Sequence, residues 1–183
     1  MSGHNKWSQI KRQKGAVDGA KSQLFSRLSK IITIESKKAL GNISSPALSS
    51  AIARAKEANM PKDSIDRAVA KGTSKDAESL ESVLYEFYGP DGVAIIVTAL
   101  TDNKNRTTQE IKHLLTKNGY ELGTPGSALW AFTKSPSGLL FANEPLVEVS
   151  GEIELIKLLE LLDAQEDTQT IATNARGFET LDD

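Results

Sequence analysis

The chain contains no cysteine. No disulfide, thiolate nucleophile or thiolate-held zinc or iron-sulfur cluster can form, which suits a reducing compartment and makes the cytoplasm the expected location. Histidine is nearly as scarce: His4 and His113 stand far apart with no His-Glu-x-x-His pattern, which excludes a histidine-rich metal site. No apolar run approaches the roughly 20 residues needed to cross a bilayer. The opening residues, Met1 to Trp7, lack the apolar stretch of a secretory signal, so neither a membrane nor export is expected. Gly119, Gly123 and Gly126 are spaced like neither a Walker A loop nor a dinucleotide fingerprint, and Lys71-Gly72-Thr73 has its glycine on the wrong side of the lysine. Ser127 lies in Thr-Pro-Gly-Ser-Ala rather than a nucleophile elbow, and Asp163, Glu166 and Asp167 sit at a polar helix end. The expectation is a protein without catalytic residues, metal or cofactor.

What the sequence does have is sorted charge. Residues 1–75 carry 15 Lys and Arg against 5 Asp and Glu, whereas residues 76–183 carry 7 against 19. The net charge of −2 hides this dipolar arrangement. A basic amino-terminal unit on an acidic body is the pattern of a phosphate-binding module carried by a separate scaffold, because Lys and Arg gain affinity for nucleic acid by releasing condensed counterions.

With 183 residues and 39% hydrophobic composition the chain can build one medium core or two small ones. Residues 1–18 form a polar, basic arm with one large aromatic, Trp7. From Gly19 to Leu40, the residues Leu24, Phe25, Leu28, Ile31 and Ile32 recur at helical spacing, with Lys30 and Lys37 opposite. Ser45-Pro46 reads as the start of a second helix with Leu48, Ala51, Ile52 and Ala55 in one stripe. A short third helix follows Asn59-Met60-Pro61, with Ile65, Ala68 and Val69 inward, and is stopped by Gly72. The alanine stripe implies close helix approach and a thin core. Residues 72–82 are small and polar, and the domain boundary is placed there, dividing the chain into 1–75 and 76–183.

In the acidic half, the turn Gly89-Pro90-Asp91-Gly92 precedes a β-rich run from Val93 to Leu100. A helix capped by Asp102 and Asn103 carries Ile111, Leu114 and Leu115. Strands are then expected at Ala128–Thr133, around Leu139–Phe141 and at Leu146–Val149, a Leu-rich helix from Ile153 to Leu162, and a last strand near Thr168–Thr173. The expected fold is therefore α+β: an N-terminal three-helix bundle followed by a ferredoxin-like β-α-β-β-α-β sandwich. The same order occurs in the RNA-recognition motif, but its aromatic signature is missing here. Of Trp130 and Phe132, at least one is expected in the core.

Several motifs resemble those of the YebC/PmpR family: Gly3-His4-Asn5-Lys6-Trp7-Ser8-Gln9-Ile10-Lys11, Ala58-Asn59-Met60-Pro61-Lys62-Asp63, and the run from Tyr88 to Val97. Leu100-Thr101-Asp102-Asn103-Lys104-Asn105-Arg106-Thr107 and Leu122-Gly123-Thr124-Pro125-Gly126-Ser127 follow in the same order. The resemblance implies a cytoplasmic, non-enzymatic regulator of gene expression, a DNA-binding transcriptional regulator in some members. In others it implies a role in translation, including mitochondrial activators and relief of ribosome stalling at proline-rich stretches. Relatives usually carry a third domain inserted into the sheet domain, whereas here Phe141 leads through Ala142-Asn143-Glu144 directly to Pro145. The arm, Lys11-Arg12-Gln13-Lys14, is also less basic than the family's usual run.

The candidate nucleic-acid contacts are Lys6, Lys11, Arg12, Lys14, Lys30, Lys62, Arg67 and Lys71, which can pair with phosphates, together with Trp7, which can either stack on an unpaired base or pack as an anchor. Asp102, Asn103, Asn105 and Arg106 are either partner-facing or the capping group of a helix. The expected partner is DNA, or ribosomal or transfer RNA, with the ribosome or the transcription apparatus beyond it, and the chain is expected to be a monomer. An adaptor binding only protein through its basic face is a third possibility.

Overall fold

A computed structural model describes Lys6, Gln9 and residues 18–74, 80–135 and 138–179. These fall into two compact units, one within residues 16–81 and one within residues 82–183, the latter including Lys6. The expected division between residues 75 and 76 falls outside the described set.

The first unit packs three helices, α1 (Asp18–Lys38), α2 (Pro46–Glu57) and α3 (Lys62–Thr73), around Leu28, Ile32, Leu48, Ala51, Ala55, Met60, Ile65 and Ala68. Pro46 opens α2 with its φ already set for a helix and no N–H to satisfy. Ser45 occupies the cap position, but its side chain makes no capping hydrogen bond. Gly72 does not stop α3 as its type suggests; it lies buried inside the helix, against α1. A Cβ there would come within 2.5 Å of the Thr33 carbonyl oxygen and 2.7 Å of the Ser36 Cβ. Two hydroxyls use this closeness: Ser36 Oγ donates to the Val69 carbonyl (2.7 Å), and Thr33 Oγ1 shares its proton between the Ser29 carbonyl of its own helix (2.9 Å) and the Ala68 carbonyl (3.2 Å).

The second unit contains β1 (Glu81–Tyr88), β2 (Ala94–Thr101), α4 (Lys104–Lys117), β3 (Phe132–Lys134), β4 (Leu140–Ala142), α5 (Glu152–Ala164) and β5 (Thr168–Thr173). Strand β2 lies centrally in a three-stranded sheet of order β1-β2-β5, antiparallel to β5 with Ile95 opposite Thr173 and Val97 opposite Ile171. Its central position explains why it is apolar on both faces. Ile95, Val97 and Ala99, with Tyr85 and Phe87 of β1, pack beneath α4 and α5 on Ile111, Leu115, Leu155, Leu158, Leu159 and Leu162. On the other face Ala94, Ile96 and Ala172 meet Ala128, Ala131, Phe132 and Leu140. The result is helices, sheet and hairpin in three layers.

The expected order β-α-β-β-α-β is present from Ala94 onward, but not as the single sheet of a ferredoxin-like sandwich. Strand β1, most of which lies between the expected boundary at 72–82 and the turn at 89–92 and was given no element there, pairs with β2 and takes one of its two edges. Strands β3 and β4 pair only with each other and lie across the sheet's face. The expected strand at 146–149 is reduced to a single bridge, Val147 beside Ala175. The expected strand at 128–133 begins only at Phe132, because the N–H groups of Ala128 and Leu129 are already spent on the Glu86 carboxylate (2.9 and 2.8 Å). Those residues cannot join a ladder, and 129–131 turn as one 3₁₀ loop.

Candidate nucleic-acid interface

Of the cations expected to meet phosphates, Lys62, Arg67 and Lys71 are exposed on α3 and Lys30 is half-buried on α1. Arg67 and Lys71 stand one turn apart and share a flank of the helix, while Lys62, five residues from Arg67, opens α3 on another. Arg67 is oriented by its own helix: Nε donates to the Asp63 carbonyl (3.1 Å) and Nη2 to Ser64 Oγ (3.2 Å). Trp7, Lys11, Arg12 and Lys14 lie outside the described residues.

Lys6 is held by the acidic unit. Its backbone N–H donates to the Gly177 carbonyl (2.9 Å), its ammonium pairs with Glu152, and the same group sits 5.8 Å from the centre of the Phe178 ring. The close fit of the lysine stem over Gly177 leaves about the space of a methyl group between them, with Lys6 Cδ 3.7 Å from a notional Cβ. Sequence reasoning grouped Lys6 with the phosphate-binding cations; its ammonium already has an anion.

The Asp102–Arg106 group is built into the start of α4. Asn103 caps the helix, its Oδ1 accepting from the Arg106 N–H (3.1 Å). The Arg106 guanidinium donates to Asp102 (2.9 Å) and to Asp167 (3.1 Å), whose carboxylate is buried and also accepts from Thr107 Oγ1 (2.6 Å). The hydrogen bond to Asp167 holds the Arg106 guanidinium above its ordinary pKa, with smaller coulombic help from Asp167 and Asp102 against desolvation. Of the four residues, Arg106 thus ties α4 to the entry of β5 with Asp102 beside it, Asn103 caps the helix, and Asn105 is exposed on the first turn.

A second constellation escaped the sequence reading. Glu86, on β1, is buried without an ion pair among the described residues, and its carboxylate accepts from the N–H groups of Gly126 (2.7 Å), Ala128 and Leu129. Its carbonyl also accepts from the Gly123 N–H (2.7 Å). Three converging N–H dipoles take the place of a counter-charge. Gly123 is required there, since a side chain would collide with Ser127 Oγ and approach the Glu86 carbonyl oxygen within 2.8 Å. One residue pair along β1, the Tyr88 hydroxyl donates to the Ser127 carbonyl (2.6 Å) and accepts from Trp130 Nε1 (2.8 Å). The available signal was alternation: Val83, Tyr85 and Phe87 against Leu84, Glu86 and Tyr88, a strand whose second face holds a carboxylate.

Among the described residues no group of three or more acidic or histidine side chains is arranged to hold a metal, and no helix is long and apolar enough to cross a membrane.

Comparison with known proteins bears on both units. The family model for the TACO1/YebC protein N-terminal domain matches residues 5–75, and that for the TACO1/YebC second and third domain matches residues 80–143. A probable transcriptional regulatory protein of Petrotoga mobilis is 43% identical over 178 residues, covering 94% of this chain and 70% of the relative. One from Dictyoglomus thermophilum is 51% identical over 155 residues, covering 84% and 61%. The chain spans between 54 and 75% of the length of such curated relatives. Among solved structures, a conserved hypothetical protein, Aq1575 of Aquifex aeolicus, superposes with a TM-score of 0.81 at 29% identity, covering 93% of this chain and 96% of that one. With both of its units matched by that family's own domains, the chain belongs to the TACO1/YebC family.

Proposed function

We propose that this protein is a non-enzymatic regulator of gene expression that binds nucleic acid through its basic helical unit and arm, the acidic unit serving to hold and present them. The observation that carries the reading is the charge sorting: 15 basic against 5 acidic residues up to position 75, and 7 against 19 beyond it. The exposed Lys62, Arg67 and Lys71 on α3 add to it, as do the relatives named as probable transcriptional regulatory proteins. Transcriptional control through DNA is the first form of this proposal. Docking on ribosomal or transfer RNA, as a cytoplasmic translation factor, is the second, since RNA presents the same phosphates to these cations.

The test is binding of the full chain to duplex DNA, structured RNA and intact ribosomes across a salt series. About six phosphate contacts to duplex DNA give a log-log slope of roughly −5. Joint neutralisation of Lys11, Arg12, Lys14 and Lys30 should flatten that slope and weaken binding; unchanged binding to every polymer overturns the proposal. Sequence-selective duplex binding supports the first form. A ribosome preference that survives near-physiological salt supports the second.

A further inference from the structure

We infer that Leu40 and Ile43, at the turn between α1 and α2 of the helical unit, form an apolar wedge that enters a base step of the nucleic acid this unit grips. The inference rests on the nucleic-acid reading above and adds to it a contact that is not electrostatic. Leu40 is 89% exposed and Ile43 62% exposed, with Asn42 exposed between them. Leu40 also has a φ of 51°, in the left-handed region that a bulky side chain rarely enters.

The strain has a local origin. The Gly41 N–H donates to the Ser36 carbonyl (2.9 Å) and the Leu40 N–H to the Lys37 carbonyl (3.3 Å), the paired bonds that close a helix through one left-handed residue. Leu40 occupies the position that glycine ordinarily takes in that closure. The other non-glycine residues with positive φ among those described are Asn59 and Asp91, types that tolerate it by bonding to nearby backbone. Leucine has no such bond to make, and at this exposure its side chain gains almost nothing from burial. A residue both strained and unburied, where glycine would remove both costs, points to a use outside the fold.

The surroundings select the occupant. A Cβ on Gly41 would lie 2.8 Å from Thr73 Cγ2, so the turn abuts the end of α3, and the last turns of α1 and α3 bring Lys37, Lys38 and Lys71 to this end of the bundle. The first turn of α2, which leaves from the same end, carries no acidic residue. Glu35 is paired with Lys38 (2.7 Å), and the other carboxylates of the described helical unit, Asp18, Glu57, Asp63 and Asp66, lie in the first two turns of α1 and α3 and the last of α2. Cations around an apolar tip match a base step between its phosphates: leucine and isoleucine are among the side chains that wedge between stacked bases, and lysines beside them meet the backbone. Two apolar residues on a turn offer far less than the continuous face with which a helix lies in an anionic membrane surface, which favours bases over lipid.

The experiment titrates the full chain into duplex DNA and duplex RNA carrying the fluorescent base aminopurine at several steps, with its emission, which rises on unstacking, and anisotropy read together. Wedging predicts a rise with the unsubstituted chain and with Leu40→Met. Leu40→Gly should lose most of the rise and bind about tenfold more weakly, with the log-log salt slope unchanged because no phosphate contact is lost. The same variant should melt about 2–4 °C higher, since it relieves the left-handed leucine. A gain of stability joined to a loss of binding is a combination that a structural role does not produce. Ile43→Ser should weaken binding without that stabilisation. Unchanged binding and emission in Leu40→Gly, no rise with the unsubstituted chain, or a lower melting temperature for Leu40→Gly each overturns the inference and leaves the nucleic-acid reading standing. Binding to phosphatidylserine vesicles that depends on Leu40, with no effect on either duplex, assigns the tip to a membrane and overturns the inference too. Absence of binding to every polymer overturns both.

Discussion

In the helical unit three of the eight buried apolar residues are alanine, whereas in the core between sheet and helices of the second unit two of fourteen are. The first core has little side-chain volume to bury, so α1 and α3 approach until the Thr33 and Ser36 hydroxyls reach carbonyls across the gap. The second fills its space with leucine, isoleucine, valine and phenylalanine. One unit depends on backbone geometry and the other on volume, and the basic residues sit on the one with the thinner core.

The largest effect should come from the volume-dependent core. Leu159→Ala empties a fully buried position and should cost about 2–5 kcal/mol, read from the urea midpoint; a loss below about 1 kcal/mol would break the contrast. In the geometry-dependent core the sensitive change is an addition. Gly72→Ala drives a methyl group into the Thr33 carbonyl and should cost about 1–3 kcal/mol, with loss of helical circular dichroism at lower denaturant. Glu86→Gln keeps the shape of the buried side chain but turns an amide NH₂ toward three N–H donors, leaving at least one unpaired. About 1–2 kcal/mol and a disordered signal from Trp130 are expected, and an unchanged near-ultraviolet spectrum would show that the loop does not need the charge.

The smallest effect is one of pH. Asp91 lies in the β1–β2 turn, and hydrogen bonds from the Ser150 N–H, the Ser150 hydroxyl and the Gly151 N–H hold its pKa below the ordinary value of 3.8. A depressed carboxylate contributes stability that is complete above its unfolded pKa and lost as pH falls through the folded one. Asp91→Asn should therefore lower the melting temperature near neutral pH by a small amount that vanishes in strong acid. A deficit that persists at low pH would mean the turn geometry, not the charge, had been damaged.

Much of this was legible in the sequence because much of it is local. Helical periodicity placed α1 to α5 to within a few residues, Pro46 marked the start of α2, and Asn103 was readable as a cap, which its bond from Arg106 N–H explains. What the sequence hid depends on contacts far along the chain. Glu86 looks like a solvated residue that interrupts a strand; its partners lie 40 to 43 residues away, in a loop that only a folded sheet brings near. The same carboxylate removes Ala128 and Leu129 from the ladder expected there and so turns Trp130 outward. Gly72 carries a stop signal by type, yet the demand it meets is a neighbouring helix. Lys6 shows the limit for charge: composition counts a cation but not the carboxylate it has already found.

That latch has a thermodynamic consequence. Lys6 is neutralised by Glu152 before any ligand arrives, and its main chain is fastened separately to Gly177. Should a phosphate claim this ammonium, it would displace one anion by another, a swap that liberates few salt ions and so leaves the ionic-strength dependence almost untouched. Severing the carboxylate alone, with Glu152→Gln, would convert the residue from a fastener into a free positive charge while the hydrogen bond from its main-chain N–H to the Gly177 carbonyl still kept it in place.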